Sequence, residues 1–183
     1  MHPEVTNDRL TGIINTYGDM VYRLALSYTK NPDDAEDVFQ EVFLKLVQHA
    51  WKLNDEDHVR YWLVRVTINF CKKSFRKRNR TVPLESIDNE NLDELLPWQI
   101  SSISPEDTVL TEELRTAIRQ ALNDLRPEEY RAVLYLYYYE QFSIEEIANV
   151  MNLTYGSAKT KLSRARAKMK TILIGLGVTQ WTI

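Results

Sequence analysis

Apolar residues recur at spacings of three and four along most of the chain, which is the period of an α-helix. The most regular run holds the apolar positions Ala35, Val38, Phe39, Val42, Phe43, Leu46, Val47 and Ala50. An earlier run holds Leu10, Ile13, Ile14, Tyr17, Val21, Leu24, Ala25 and Tyr28, and a later one holds Val59, Trp62, Leu63, Val66 and Phe70. No alternating run bounded by turn residues predicts a strand. The pattern predicts an all-α fold that begins with a bundle of at least three helices.

The helical pattern stops over residues 81–108, a segment with Pro83, Pro97 and Pro105. We interpret this segment as a flexible acidic linker with one short helical piece near residues 91–98. It separates two small helical domains, residues 1–80 and residues 109–172. Residues 173–183 are predicted to form an uncharged tail.

The second domain contains the pattern of a helix-turn-helix. Ser143 and Glu146 have the spacing of a capping box, which predicts a helix over residues 144–151. Residues 152–154 are a three-residue turn, and Thr154 is suited to cap a second helix that begins at Tyr155. The apolar positions that lock the two helices together are Ile147, Ala148, Met151, Leu153, Ala158, Leu162 and Ala165. In this motif the second helix enters the DNA major groove.

Charge is divided unevenly among the segments, although the whole chain sums to only −3. Residues 60–80 carry eight Lys or Arg and no acid, and residues 155–170 carry six Lys or Arg and no acid. Residues 81–113 carry nine Asp or Glu and no Lys or Arg. Two basic helices on two domains predict two contacts along one nucleic acid.

The second helix of the helix-turn-helix supplies candidate DNA-binding residues that suit phosphate and base contacts. We expect it to expose Ser157, Lys159, Thr160, Lys161, Arg164 and Lys168. The other interpretation is an amphipathic helix with solvated lysines. The absence of any acid over the whole helix favours DNA contact, because solvated helices usually mix both signs of charge.

The first domain has a second candidate face, whose members are spaced to lie on one side of a helix. They are Arg65, Asn69, Lys72, Lys73 and Arg76. Asparagine hydrogen-bonds base edges, and the cations neutralise phosphates. Tyr61 and Trp62 precede this face, and aromatic rings beside a basic groove can stack single-stranded bases. We nevertheless interpret Trp62 and Phe70 as core residues.

Other kinds of site find little support. Cys71 is the single cysteine, which excludes an internal disulfide and a Cys-based zinc site, and the three histidines lack ligand spacing. The acidic clusters at residues 33–37 and 55–57 stand where helices begin, and the helix macrodipole explains acid there. No Gly-rich phosphate loop or nucleophile motif accompanies them. We therefore expect no metal, no cofactor and no catalytic activity.

The two ends of the chain bear on its location in the cell. The N-terminal residues are polar and lack the apolar core of a signal peptide. The C-terminal residues 172–183 fall short of the roughly 20 apolar residues of a membrane helix. We expect a cytoplasmic protein with no membrane contact of its own.

Three segments together resemble bacterial sigma factors of the extracytoplasmic-function (ECF) class. They are NPDDAEDVFQEVFLKL at residues 31–46, YWLVRVTIN at residues 61–69 and SIEEIANVMNLTYGSAKTKLSRARAKM at residues 143–169. The resemblance covers nearly the whole chain, and the order and spacing of the segments make it specific.

The resemblance implies a transcription initiation factor with a division of labour between its domains. The helix over residues 33–46 would dock on core RNA polymerase through Asp37, Gln40 and Glu41. Residues 52–76 would capture the non-template strand of the minus-ten element, with Arg65 and Asn69 at its upstream part. The loop of residues 52–58 would hold a flipped-out base. The second domain would read the minus-thirty-five element as duplex, and the linker would thread toward the polymerase active-site and RNA-exit channels. An anti-sigma factor is an implied partner.

The chain departs from the family pattern at two places. The second helix of the motif begins Tyr155-Gly156-Ser157-Ala158, where the family more often has Thr or Ser followed by a larger Val, so Ala158 predicts looser packing beneath it. The uncharged tail matches no segment of the family. A stand-alone helix-turn-helix regulator with an N-terminal dimerisation domain is the other interpretation, and it leaves the basic face of the first domain without a purpose.

Overall fold

The computed structural model describes residues 7–53, 55–81 and 112–178, and the side chains of residues 75–81 and 112 lie outside this description. The described residues form helices and turns and contain no β-strand, which confirms the all-α prediction. The main helices are α1 (Asn7–Thr29), α2 (Pro32–His49), α3 (Glu56–Thr81), α4 (Glu112–Asp124), α5 (Glu129–Leu134), α6 (Ile144–Met151) and α7 (Tyr155–Gly175). The chain divides into two compact units, the first built on α1–α3 and the second on α4, α5 and α7.

In the first unit each of the three long helices packs against the other two. The start of α2 follows from its sequence, because the Asn31 side chain accepts a hydrogen bond from the backbone N of Asp34 at 2.9 Å and Pro32 occupies the first turn. Ala50–Lys52 adds a 3₁₀ turn after α2. The fully buried side chains of this unit include Val21, Leu24, Val42, Leu46, Leu63 and Ile68.

The apolar stripe predicted for α2 is wrong at Val47, which is 57% exposed. Val47 is five residues from buried Val42, which places it about 140° away around the helix and outside the buried stripe. On α1, Ile14 is 40% exposed, while Met20 and Leu26 are buried although the predicted stripe omits them. The core is therefore rotated slightly from the stripe that the spacing suggested.

In the second unit α4 and α5 pack against α7. A π-helical turn, Tyr135–Tyr139, continues α5, and Tyr135 is fully buried with its hydroxyl donating to Glu140 at 2.7 Å. Arg131 is only 2% exposed, and its guanidinium donates to the carbonyl oxygen of Leu125 at 2.7 Å. This buried contact ties α5 to the turn that precedes it.

The predicted helix-turn-helix is confirmed at both of its helix starts. At α6 the backbone N of Ser143 donates to Glu146 at 2.6 Å, and the backbone N of Glu146 donates to the Ser143 hydroxyl at 3.2 Å. At α7 the Thr154 hydroxyl accepts from the backbone N of Ser157 at 3.2 Å. Most of the predicted locking positions are buried, namely Ile147, Ala148, Met151, Ala158, Leu162 and Ala165. Leu153 in the turn is only half-buried.

The capping box gives a direct prediction for stability. Ser143→Ala is expected to lower the free energy of unfolding by about 1 kcal/mol, because it leaves the first turn of α6 without its side-chain acceptor. Urea unfolding followed by circular dichroism measures the change. Ser163→Ala, at an exposed site inside α7, is the matched control and should change stability little. Equal effects of the two substitutions would contradict the capping role.

Two predicted segments fall wholly or partly outside the described residues. The acidic linker, including the short helical piece near residues 91–98, lies outside them. Of the predicted tail, the first residues are helical, because α7 continues to Gly175 and Leu173 is fully buried. The predicted domain boundary at residue 172 thus falls inside α7 and stays a prediction.

Candidate nucleic-acid interface

Helix α7 presents most of its polar and cationic side chains to solvent. Five buried residues on one side hold the helix in the second unit, namely Ala158, Leu162, Ala165, Met169 and Leu173. The candidate residues that are exposed are Ser157, Lys159, Thr160, Arg164 and Lys168. The described part of α7 contains no acidic side chain, so this face attracts anions along its whole length.

Lys161 is half-buried instead of exposed as predicted. Its ammonium group forms an ion pair with the Glu129 carboxylate of α5, and the two side chains are 21% and 30% exposed. Lys168 is exposed, and its ammonium group donates to the carbonyl oxygen of Arg126 at 2.9 Å. Both lysines thus help to hold α7 on the unit, and of the candidate cations Lys159 and Arg164 project most freely into solvent.

Helix α3 carries the second candidate face. Arg65, Asn69 and Lys73 are exposed and Lys72 is half-buried. The side chain of Arg76 lies outside the described residues. The three exposed residues follow one another at intervals of four, so they form a continuous strip along the helix.

Trp62 and Phe70 border this strip, and both rings are half-buried instead of belonging wholly to the core. The Trp62 ring lies 6.1 Å from the ring of His49, centroid to centroid. The ammonium group of Lys45 lies 5.5 Å from the centre of the Phe70 ring. Trp62 is one turn before Arg65, so part of an aromatic surface is accessible beside the polar strip.

The loop before α3 is shorter than predicted. Helix α3 begins at Glu56, so the last residues of the predicted loop at 52–58 form its first turn. The carboxylate of Asp55 accepts from the backbone N of His58 at 2.7 Å, which is a capping interaction. Asn54 lies outside the described residues. Across the described ranges, no group of three or more His, Cys, Asp or Glu side chains is arranged to hold a metal ion.

A third surface lies on α2 and is called the α2 face below. Asp37, Gln40 and Glu41 are exposed as predicted. Leu44 and Val47 continue the same side of the helix and are 62% and 57% exposed. Two large apolar side chains left in water next to polar ones are typical of a protein-binding surface.

Comparison with known proteins identifies the two units. The family model of Sigma-70 region 2 matches residues 13–81, and that of Sigma-70 region 4 matches residues 115–169. The chain is 31% identical over 160 residues to the ECF RNA polymerase sigma factor SigM of Bacillus subtilis, covering 87% of this chain and 92% of that protein. It is 28% identical over 165 residues to SigW of the same organism, covering 89% and 88%. The chain belongs to the ECF RNA polymerase sigma factors.

Solved structures share the fold. The sigma factor RpoE of Bartonella quintana, crystallised with the anti-sigma factor NepR, gives a TM-score of 0.64 at 19% identity over 93% of this chain and 98% of that one. CnrH, solved with the cytosolic domain of CnrY, gives 0.61 at 20% identity over 93% and 91%. The expected family and fold are therefore confirmed, and this ECF sigma factor is a transcription initiation factor.

The matched regions agree with the helices. Region 2 spans most of α1 and all of α2 and α3, and region 4 extends from α4 into α7. Within the part of this sigma factor that the structure describes, no helix is both long and apolar enough to cross a membrane. The single cysteine, Cys71, is buried in α3, and burial raises the pKa of its thiol well above the usual range. Cys71 is thus protonated and sheltered, and it packs as an apolar residue.

Sequence reasoning missed two residues of α7 that the fold makes conspicuous. The Arg166 guanidinium lies 4.9 Å from the centre of the Tyr137 ring and 5.3 Å from that of Tyr138, and its Nε is buried without a hydrogen-bond partner among the described residues. The aromatic run before α6 was the available signal. Tyr155, the first residue of α7, is 56% exposed. The signal in the sequence for Tyr155 was an aromatic residue placed before Ala158, the first locking position of this helix.

Proposed function

We propose that this ECF sigma factor binds core RNA polymerase and directs it to promoters through two DNA contacts. Region 2 makes the minus-ten contact and region 4 the minus-thirty-five contact. Membership of the family supports this division, and three surfaces of the chain have the chemistry that it requires.

The α2 face is suited to bind the polymerase. Its exposed apolar side chains, Leu44 and Val47, lie beside Asp37, Gln40 and Glu41. Burying an exposed leucine in an interface contributes about 2 kcal/mol. The acidic and amide groups around these apolar side chains orient the contact. They also disfavour partner surfaces that lack cations to pair with the carboxylates. The face therefore fits a partner surface with an apolar depression edged by cations.

The strip on α3 is suited to a melted strand. Arg65 and Lys73 can neutralise phosphates, and Asn69 between them has both a donor and an acceptor for a base edge. The accessible part of the Trp62 ring supplies a surface on which an unpaired base can stack. A duplex hides base faces from such a ring, so this strip favours single-stranded DNA.

Helix α7 is suited to bind duplex DNA, and the chemistry of its exposed face is the main support for the proposal. It is the second helix of a confirmed helix-turn-helix, one side of it is buried in the second unit, and its free face bears hydroxyl groups and cations with no acid. These are the groups that contact phosphates and base edges in a major groove. Two modest contacts on one chain reinforce each other, because the first raises the local concentration of the second.

An anti-sigma factor is proposed as a further partner. The structures of RpoE and CnrH that share this fold were solved with NepR and with the cytosolic domain of CnrY, respectively. The exposed apolar residues of the α2 face offer such a partner a binding surface. An anti-sigma factor bound there would compete directly with the polymerase for this face. We also propose that the chain has no catalytic activity of its own, needs no cofactor and acts in the cytoplasm, where the polymerase is.

The test is a run-off transcription assay with core RNA polymerase, with and without the protein, on a library of random upstream DNA. Specific starts that appear only with the protein support the proposal and yield its promoter. Absence of specific starts together with duplex binding in a gel-shift assay would instead favour a stand-alone helix-turn-helix regulator. The assay thus separates the two functions.

Asn69→Ala is expected to reduce base discrimination at one position of the minus-ten element by about tenfold, because the amide that reads the base edge is removed. Sequencing the starts from the random library measures this preference. Lys73→Ala, on the same strip, is the control: it should weaken all sequences about equally and reduce the salt dependence. Both variants should bind core polymerase normally. An unchanged minus-ten preference with Asn69→Ala would exclude base reading by this residue.

A further inference from the structure

The first residue of α7, Tyr155, leaves more than half of a large aromatic side chain in water. It is 56% exposed, whereas the locking residues Ala158 and Leu162 are 1% and 2% exposed. Tyr155 lies about one helical turn before Ala158, the first buried residue of the helix. The side chain has no role in the core that would explain an aromatic residue at this position.

The turn that carries Tyr155 is held firmly in place. The Thr154 hydroxyl accepts from the backbone N of Ser157 at 3.2 Å and donates to the Ser157 hydroxyl at 2.8 Å. The backbone N of Ala158 donates to the carbonyl oxygen of Thr154 at 2.9 Å. Tyr155 therefore projects from an ordered first turn, which fixes the position of its Cα relative to the rest of α7.

Gly156, the residue after Tyr155, adds no side chain to this first turn. No atom lies within 4 Å of the position that a Cβ on Gly156 would take. Packing within the protein thus does not demand glycine here, although glycine in a helix costs up to about 1 kcal/mol relative to alanine. The fold does not require glycine at this position, which is next to an exposed aromatic ring. A glycine there is consistent with another molecule approaching this end of the helix closely.

We propose that Tyr155 is a specificity-determining residue for duplex DNA, and that its ring packs against the C5-methyl group of a thymine in the major groove. This inference rests on the proposed function of α7 and adds a base-reading residue to it. The N-terminal residues of a recognition helix point at base edges. Thymine alone presents a methyl group in the major groove, and an exposed apolar ring is its chemical match.

The experiment uses the full chain with core polymerase. Wild type, Tyr155→Ala, Tyr155→Phe and Ile174→Ala are compared by sequencing the starts that each directs on the random upstream library. Ile174 is a matched control, because it is 55% exposed on the same helix but lies about 28 Å away at a rise of 1.5 Å per residue. The wild-type promoter is then prepared with each thymine of the upstream element replaced by uracil, which removes only the methyl group.

Tyr155→Ala is expected to reduce the preference for thymine by about fivefold at one position or two adjacent positions, while Tyr155→Phe and Ile174→Ala retain it. Uracil at the same position should reduce wild-type initiation by a similar factor and leave the Tyr155→Ala variant unaffected. Unchanged base preferences in Tyr155→Ala, a uniform loss over all sequences, or wild-type indifference to uracil at every position would each overturn the proposal. In all three cases specific starts by wild type leave the proposed function intact. Absence of wild-type starts is a different result and rejects that function itself.

Discussion

Leu44→Glu is expected to lower the affinity of the chain for core RNA polymerase at least about 100-fold. Leu44 is the most exposed of the large apolar residues in the described part of the chain, at 62%, and it lies at the centre of the α2 face. The substitution removes an apolar contact worth about 2 kcal/mol and places a carboxylate in an interface, where an unpaired charge costs further free energy. Leucine and glutamate have similar helix propensities, so α2 itself should be preserved.

Fluorescence anisotropy with labelled protein and core polymerase measures this affinity, and circular dichroism checks the helix. Ile174→Glu is the matched control, because Ile174 is 55% exposed but lies on α7 in the second unit. Glu41→Arg should impair binding as well, since it reverses a charge on the same face. Ile174→Glu should bind the polymerase as tightly as wild type, and if Leu44→Glu does so too, the docking surface does not include Leu44.

Arg164→Ala is expected to weaken binding to the promoter duplex about tenfold and to reduce the salt dependence of binding by about one ion. Arg164 is exposed on the free face of α7, so its removal should leave the stability of the fold unchanged. Lys161→Ala should behave differently. Its ammonium group pairs with Glu129, and loss of this pair should lower the free energy of unfolding by up to about 1 kcal/mol while affecting DNA binding less.

Equilibrium binding to a promoter duplex at several salt concentrations, together with urea unfolding of each variant, separates the two effects. Lys159→Ala provides a second exposed cation for comparison and should resemble Arg164→Ala. If Lys161→Ala matches Arg164→Ala in both affinity and salt dependence and leaves stability unchanged, Lys161 contacts DNA and its ion pair with Glu129 does not persist in solution.

Local signals explain why the helix-turn-helix could be predicted almost to the residue. The caps at Ser143 and Thr154 depend on side chains three residues apart, so the sequence contains the complete interaction. The apolar spacing on α6 and α7 likewise needs only neighbouring turns. The family resemblance used these same segments, which is why it led to the right fold and the right class of protein.

Predictions about exposure succeeded less often, because they depend on distant parts of the chain. The half-burial of Lys161 follows from Glu129, which is 32 residues earlier in the sequence. Val47 is exposed although its spacing placed it on the apolar stripe of α2, because spacing alone does not settle which edge of a stripe packs against α1 and α3. The buried guanidinium of Arg131 likewise donates to the carbonyl oxygen of Leu125, a contact that exists only in the folded unit.

Residues within a few turns of one another were enough to predict the all-α class, the capped helix starts at Ser143 and Thr154, and the two basic helices. The order and spacing of three such segments were enough to predict the ECF family. Tertiary packing settled the exposure that helical spacing left open: it left Val47 and Tyr155 exposed and drew Lys161 and Arg166 onto the second unit. The physical reason is that burial and ion pairing are properties of packed surfaces, and those surfaces exist only when helices distant in sequence meet.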